Sequence, residues 1–243
     1  MENEKKTFTA LGKNADTTPQ IAKMSEVRRF APAEYNALKL INPDDDGTIH
    51  VKAFRDLRTQ LMKRMEWRNF VCLVTSVASG GCSYVAANLA AAIALDKSKT
   101  ALLLDANLYS PNAETLLPVP SHLGLVDYLD DSTVAIEDVV YASGVPRMRV
   151  IPAGTNGRGV AEKFDSSRMR ELFAEIKNRY EDRYVIVDGP PVAEYDAEIC
   201  LLAAMCDFVL LVVPYGKTNK SQLNAAIEKI GKERLAGVVF NMN

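Results

Sequence analysis

The chain has 243 residues, 48% of them hydrophobic and 25% charged, with a formal net charge of −2. That is ordinary globular composition and enough chain for one sizeable domain with an added segment. The near-neutral balance excludes the basic footprint of a nucleic-acid binder, since Lys and Arg are spread along the chain apart from the pairs Lys5-Lys6 and Arg28-Arg29.

The first residues, M-E-N-E-K-K-T-F, are polar and do not read as a signal peptide. Residues 1–48 lack sustained periodicity and carry Thr17-Thr18-Pro19, Ala31-Pro32 and a turn over 42–47. They read as a flexible or extended arm packing on the body, with a helical turn or two over 34–40. A helix is expected over 50–65, where Phe54, Leu57, Leu61 and Met65 form one apolar face and Arg55 and Arg58 lie on another. From residue 69 strands and helices alternate. Strands are predicted at 70–75, 101–105, 149–151, 184–188, 208–213 and 237–241. Helices are predicted at 83–95, 166–180, 194–204 and 219–229, with two shorter ones within 123–140. Short apolar strands between amphipathic helices imply a parallel sheet covered on both faces, in an α/β domain over 49–243. The longest apolar stretch, 85–95, is too short to span a bilayer, so a soluble cytoplasmic protein is expected.

The four cysteines, Cys72, Cys82, Cys200 and Cys206, form no C-x-x-C pair and have only His50 and His122 to join them. A structural zinc site is therefore not expected. Cys72, Cys200 and Cys206 have apolar surroundings and read as buried thiols.

Three segments fall at the carboxyl ends of predicted strands, where open α/β sheets bind ligands. The first, V-C-L-V-T-S-V-A-S-G-G-C-S at 71–83, is an apolar run, a glycine turn and a helix start. That is the P-loop arrangement, in which backbone N–H groups and a helix N-terminus hold phosphates. Where a P-loop has Gly-Lys-Ser/Thr, this chain has Gly81-Cys82-Ser83. The second, L-L-L-D-A-N-L-Y-S-P at 102–111, closes a strand on Asp105, and the third, Y-V-I-V-D-G-P-P-V at 184–192, closes one on Asp188. An apolar strand ending in Asp is the Walker B form, whose carboxylate organises Mg²⁺. Each segment alone has a plainer reading as a turn or a helix cap. Asp105 and Asp188 read equally as loop-ordering groups. Cys82 is read as a small neutral residue in the lysine's place ahead of a thiol activated by the helix dipole. Tyr84, beside the loop, is a candidate filler of the same pocket, and His50 and His122 read as surface or capping residues.

Taken together these segments resemble the bacterial tyrosine kinases (BY-kinases) of capsule and exopolysaccharide systems. Those kinases share the P-loop superfamily with the partitioning and septum-site ATPases. The resemblance covers 52–241 and is carried by A-F-R-D-L-R-T-Q-L (53–61), V-T-S (74–76), A-A-N-L-A (86–90), L-L-L-D-A-N-L (102–108), G-L-V-D-Y-L (124–129), I-P-A-G (151–154), V-D-G-P-P-V (187–192) and G-V-V-F-N (237–241). It implies a three-layer, P-loop NTPase-like α/β domain with a mostly parallel central sheet. It implies a phosphate loop of Gly80, Gly81, Cys82 and Ser83, with the Ser83 hydroxyl on Mg²⁺. Asp105 would be the first Walker A′ acid and Asp188 the Walker B acid, together the catalytic candidates, with Asp188 also on the metal. Asn241 would lie near the nucleotide base. Arg55 and Arg58 match the helix that assembles these kinases into a ring.

The departures bear on activity. The loop lysine is absent, no lysine lies between Arg68 and Lys97, and counts from Thr75 and from Asn88 disagree by one residue, so the loop is shortened. The second Walker A′ acid is Asn107, the basic pair after it is Tyr109-Ser110, the ring-helix glutamate is Lys52, and the sequence stops at Asn243 without a tyrosine-rich tail. A charge-assisted hydrogen bond contributes roughly 1.5–3 kcal/mol, so nucleotide affinity is expected to fall about ten- to a hundredfold. Loss of one preorganised donor typically lowers a rate by about 10²–10³. The expected function is a pseudokinase, a cytoplasmic BY-kinase-like subunit of an exopolysaccharide synthesis and export system. It would bind the cytoplasmic tail of an inner-membrane polysaccharide co-polymerase, which would recruit it to the inner face of the membrane, and it would self-associate. Mg-ATP or Mg-ADP, if bound, would bind with weakened affinity, and no nucleic acid is expected. The alternatives are an active ATP-dependent tyrosine autokinase with an altered loop and a partitioning-type ATPase switch.

Overall fold

In the computed structural model the described residues are 29–42, 44–45, 47–119, 122–154, 159–178 and 183–242; residues 1–28 of the expected arm lie outside them. The short apolar runs become the strands β1 (Val71–Ser76), β2 (Thr100–Asp105), β4 (Met148–Ile151), β5 (Arg183–Asp188), β6 (Phe208–Pro214) and β7 (Leu235–Asn241), and a two-residue β3 (Tyr141–Ala142) is added. They form one sheet in the order β3-β4-β2-β5-β1-β6-β7. Every neighbouring pair is parallel except β3 with β4. Six of the seven strands were expected from the sequence. The strand β3 was not, because two residues carry no period and exist as a strand only through pairing of Tyr141 with Val150 and Ala142 with Arg149.

The sheet is buried on both faces, as continuous apolar runs require. Successive strand residues alternate between two cores. Cys72, Val74, Leu103, Ile186 and Leu210 face one, while Val71, Leu73, Leu102, Val185 and Leu211 face the other. The first core is covered by α1 (Pro32–Ala37), α2 (Ile49–Arg64), α3 (Cys82–Ala94) and α4 (Ala113–Leu116). The second is covered by α5 (Leu125–Asp130), a 3₁₀ turn (Ile136–Val139), α6 (Val160–Phe164), α7 (Ser167–Asn178), α8 (Asp196–Met205) and α9 (Lys220–Ile230). Among the described residues no helix is long and apolar enough to cross a membrane.

The helix α3 is the centre of the first layer, and all its residues but Ser83 and Tyr84 are buried. Alanine at six of its thirteen positions lets it lie close on the sheet and under α2. Its C-terminal carbonyls are capped from two sides, by Arg58 Nη1 on the Ala92 oxygen at 2.8 Å and by Arg147 Nε on the Ala94 oxygen at 3.0 Å. Cations at a helix C-terminus are favourably placed against its dipole. One buried polar side chain interrupts the apolar packing. Asn88 Oδ1 accepts from the Ile41 N–H at 2.8 Å, and its Nδ2 donates to the Lys39 and Tyr84 carbonyls at 3.1 and 3.0 Å. This ties the segment after α1, with buried Tyr35, Leu40 and Ile41, onto α3.

Asn88→Ala would leave the Ile41 N–H and the Lys39 carbonyl without partners. The expected loss is about 2 kcal/mol, a drop in Tm of roughly 4–8 °C for a domain of this size. Hydrogen exchange should show lost protection at Ile41 while β1 and β6 stay protected; unchanged exchange at Ile41 would contradict the assignment.

Candidate phosphate site

Five strands of a parallel sheet deliver their carboxyl ends to one edge, and the site lies there. Ser76 ends β1, Asp105 ends β2, Asp188 ends β5, Pro214 ends β6 and Asn241 ends β7. The segment 188–192 is fastened to β1. The Gly189 N–H donates to the Val74 oxygen at 2.9 Å, the Val192 N–H to the Ser76 oxygen at 2.8 Å, and the Thr75 hydroxyl to the Pro190 oxygen at 2.6 Å. Position 189 has no room for a side chain, because a Cβ there would stand 2.8 Å from Leu73 Cδ1.

The turn before α3 needs its glycines. Gly80 and Gly81 have φ of 150° and 81°, in the region that L side chains rarely adopt. A Cβ on Gly81 would also run into the side-chain amide of Asn241. Gly81 is the N-cap of α3 and offers no side chain to its first N–H groups, so they are open to a ligand. Beside them is a cleft of about 220 Å³, bounded by Ser76, the 79–83 turn, Asn107, Asn112, Gly189 and Tyr195.

The sequence-predicted residues meet here, in altered roles. Asp105 and Asp188 are register neighbours on adjacent strands. Asp105 accepts from the Asn107 N–H at 3.1 Å and the Asn112 N–H at 3.0 Å, which orders the loop after β2. Cys82 turns inward, its sulfur 3.1 Å from Asp188 Oδ1 and 3.2 Å from the Val74 oxygen. Burial, the Asp188 charge and the hydrogen bond to it push the Cys82 thiol well up, which removes the reading of an activated thiol. Burial and the neighbouring Asp105 hold Asp188 above the ordinary carboxylate range, with Ser83 and Cys82 opposing them. Asp188 Oδ2 and Ser76 Oγ are buried without a partner among the described residues.

Two expectations are corrected. Tyr84 does not enter the cleft; it packs edge-on against Phe54, centroids 5.9 Å apart, within the first core. One residue along a helix turns a side chain by about 100°, which separates Tyr84 from Ser83. Cys200 is exposed, not buried. The buried stripe of α8 is Ile199, Leu202 and Ala203, which leaves Cys200 on the outer face. Arg55 and Arg58 lie on α2, away from this edge, and Arg58 is engaged with α3 as described above.

The structure gives Tyr109 partners and adds Tyr195, Glu194, Glu198 and Lys217, which the sequence did not single out. Tyr109 stacks on Tyr195 with centroids 3.9 Å apart and donates its hydroxyl to Glu198 Oε1 at 2.5 Å. The cleft therefore has an aromatic wall where the resemblance implies a basic pair. Ser79 donates to Glu194 at 3.4 Å across its mouth. Lys217 reaches the turn from the loop after β6, its Nζ 3.6 Å from where a Cβ on Gly80 would stand.

The set fits the phosphates of a nucleotide together with Mg²⁺ in part. Open helix N–H groups, a turn with no room for side chains and an orphaned buried carboxylate oxygen and hydroxyl are what such a ligand would satisfy. The donor nearest Asp188 is a thiol, a poor ligand for a hard cation. Among the described residues no group of three or more His, Cys, Asp or Glu is arranged to hold a metal by itself.

No protein-family profile matches the chain. It is 32% identical over 203 residues to EpsB of Ralstonia solanacearum, named as a tyrosine-protein kinase, covering 82% of this chain and 26% of that protein. It is 32% identical over 218 residues to the tyrosine-protein kinase YwqD of Bacillus subtilis, covering 88% of each. Over 221 residues it is 25% identical to the succinoglycan biosynthesis transport protein ExoP of Rhizobium meliloti, covering 85% of this chain and 27% of that protein. The chain thus spans about a quarter of EpsB and ExoP and most of YwqD. The crystal structure of the VpsO kinase domain superposes with a TM-score of 0.69 at 25% identity, covering 80% of this chain and 96% of that one.

Two measurements check the site. In native protein only Cys200 should react with a thiol reagent, with Cys72, Cys82 and Cys206 protected until unfolding; fast labelling of Cys82 would contradict its inward placement. The sign of the Asp188 effect is also fixed. A carboxyl raised on folding contributes stability while protonated and loses it as pH rises through its folded value. In metal-free buffer, Asp188→Asn should therefore flatten the fall in Tm between pH ~5 and ~8.5 and exceed the parent at the upper end. Identical profiles would contradict the buried carboxylate pair.

Proposed function

The chain belongs to the family of bacterial tyrosine-protein kinases, and from that premise we propose that it is a pseudokinase subunit of an exopolysaccharide synthesis and export system. The observation that carries the reading is the loop itself. Its lysine position holds Cys82, and the Cys82 sulfur lies on Asp188, the acid that would organise Mg²⁺. Phosphoryl transfer depends on stabilising charge on the transferring group, and the protein's part is positioning and electrostatics. Here the loop cation is missing, the second Walker A′ acid is Asn107, and Asp105 is bound to the backbone of its own loop.

Mg-nucleotide, when bound, supplies the phosphoryl group. The N–H groups of 80–83 would hold its phosphates, Ser83 and Asp188 its metal ion, and Asn241 would lie near the base. The same cleft then acts as a binding site that orders the carboxyl edge. The partner is the cytoplasmic tail of an inner-membrane polysaccharide co-polymerase, which would hold the domain at the membrane. ExoP supports this partner class, since its name is that of a polysaccharide transport protein and the matched region is a minor part of its length. Exposed Trp67, Tyr215 and Phe240 are available for such contacts, and self-association would use the Arg55 face of α2.

Incubation of the protein with Mg-ATP, followed by mass spectrometry of its tyrosines, tests the reading. No nucleotide-dependent phosphotyrosine is expected above the level of Asp188→Asn. Phosphotyrosine that accumulates with time and disappears in Asp188→Asn would overturn it and favour a working autokinase.

A further inference from the structure

We propose that Lys217, from the turn after β6, supplies the phosphate-binding cation that the loop lacks, so that the cleft binds the phosphate chain of a nucleoside di- or triphosphate. The inference concerns binding alone and stands whether or not the protein transfers a phosphoryl group.

Four observations carry it. The sequence Pro214-Tyr215-Gly216-Lys217 folds as a turn, with the Lys217 N–H on the Pro214 oxygen at 3.3 Å and Gly216 at a φ of 73°. This is the conformation that glycine permits at the third position of such a turn. The turn is fastened to β7 by the Tyr215 N–H on the Asn241 oxygen at 2.8 Å, so the lysine starts from a fixed base. The phosphate turn leans directly on it. A Cβ on Gly80 would meet Pro214 Cβ at 3.2 Å and Lys217 Nζ at 3.6 Å. Glycine at 80 is thus what allows the ammonium to stand beside the loop.

The electrostatics point to an anion. Lys217 is exposed and makes no ion pair among the described residues. Its ammonium stands beside Gly80, one residue ahead of the N-cap of α3, a thirteen-residue helix whose N-cap provides no side-chain acceptor. Two positive potentials side by side repel each other until an anion comes between them. The cleft at that N-terminus, which Gly80 lines and Lys217 approaches from behind Gly80, also contains the Ser76 hydroxyl, buried at 0% exposure and without a partner among the described residues. A phosphate would accept from the helix N–H groups, from Ser76 and from Lys217 together. A lysine stem is long and flexible enough to follow such a ligand, and position 217 can contribute a point charge that position 82, turned inward onto Asp188, cannot.

The test is calorimetric titration of the protein, Lys217→Ala and Lys217→Arg with ADP and with pyrophosphate, both in Mg²⁺. The parent should bind both. Lys217→Ala should lose about ten- to a hundredfold in affinity for each, with an unchanged Tm in the absence of ligand, and Lys217→Arg should stay within a few-fold of the parent. Equal affinity in Lys217→Ala, a loss for ADP but not for pyrophosphate, or a parent that binds neither would each overturn the proposal. None of these outcomes depends on phosphotyrosine formation, so the proposal and the pseudokinase reading fail separately.

Discussion

The site depends on one buried contact, the Cys82 sulfur against the Asp188 carboxylate at 3.1 Å. It is the point where the first turn of α3 meets the carboxyl ends of β1 and β5. The Gly189 N–H on the Val74 oxygen and the Val192 N–H on the Ser76 oxygen fix one side of that junction, and the glycine turn at 80–81 fixes the other. Asp188 sits next to Asp105 in register, so two carboxylates share a dry environment. Such a pair is tolerated when one member holds its proton and the other is hydrogen-bonded. Asp105 accepts from the N–H groups of Asn107 and Asn112, and Asp188 Oδ1 from the Cys82 thiol.

The same contact separates scaffold from chemistry. Backbone N–H groups at a helix N-terminus do not depend on side-chain identity, so a phosphate cradle built from them does not require particular side chains at 82, 107 and 109. The reactive machinery of the family depends on side chains, and it is here that the chain departs. A thiol lies against Asp188, and Tyr109 stacks on Tyr195 where the resemblance implies basic residues. The Tyr109 hydroxyl is tied to Glu198 and, being desolvated and facing a carboxylate, is held above the usual tyrosine range. These substitutions agree with each other. Each lowers positive charge or metal affinity at the cleft while leaving the sheet and the turn intact.

Much of this was legible in the sequence, for physical reasons. Strands buried on both faces appear as short apolar runs, so six of them and their terminal Asp105 and Asp188 could be placed without coordinates. A glycine pair between an apolar strand and a helix marks a backbone turn by itself. What could not be read depended on tertiary contacts. Lys217 reaches Gly80 only because β6 lies beside β1 in the sheet; its one signal was a glycine turn carrying a cation at a strand's carboxyl end. Tyr84 and Cys200 were misplaced because each lies in an apolar helical stretch where the buried stripe is hard to phase. The role of Asn88 as a clamp on 39–41 had only a polar residue in an alanine run to announce it.

The proposed function is that of a family fold with a phosphate-binding edge and no phosphoryl transfer. The most direct measurement is the fate of the γ-phosphate of labelled ATP in a single-turnover mixture with excess protein and Mg²⁺. The account predicts that ATP is retained by the protein and recovered intact, with transfer and release no faster than in buffer. Label appearing on protein, or phosphate released faster than from ATP alone, would contradict it.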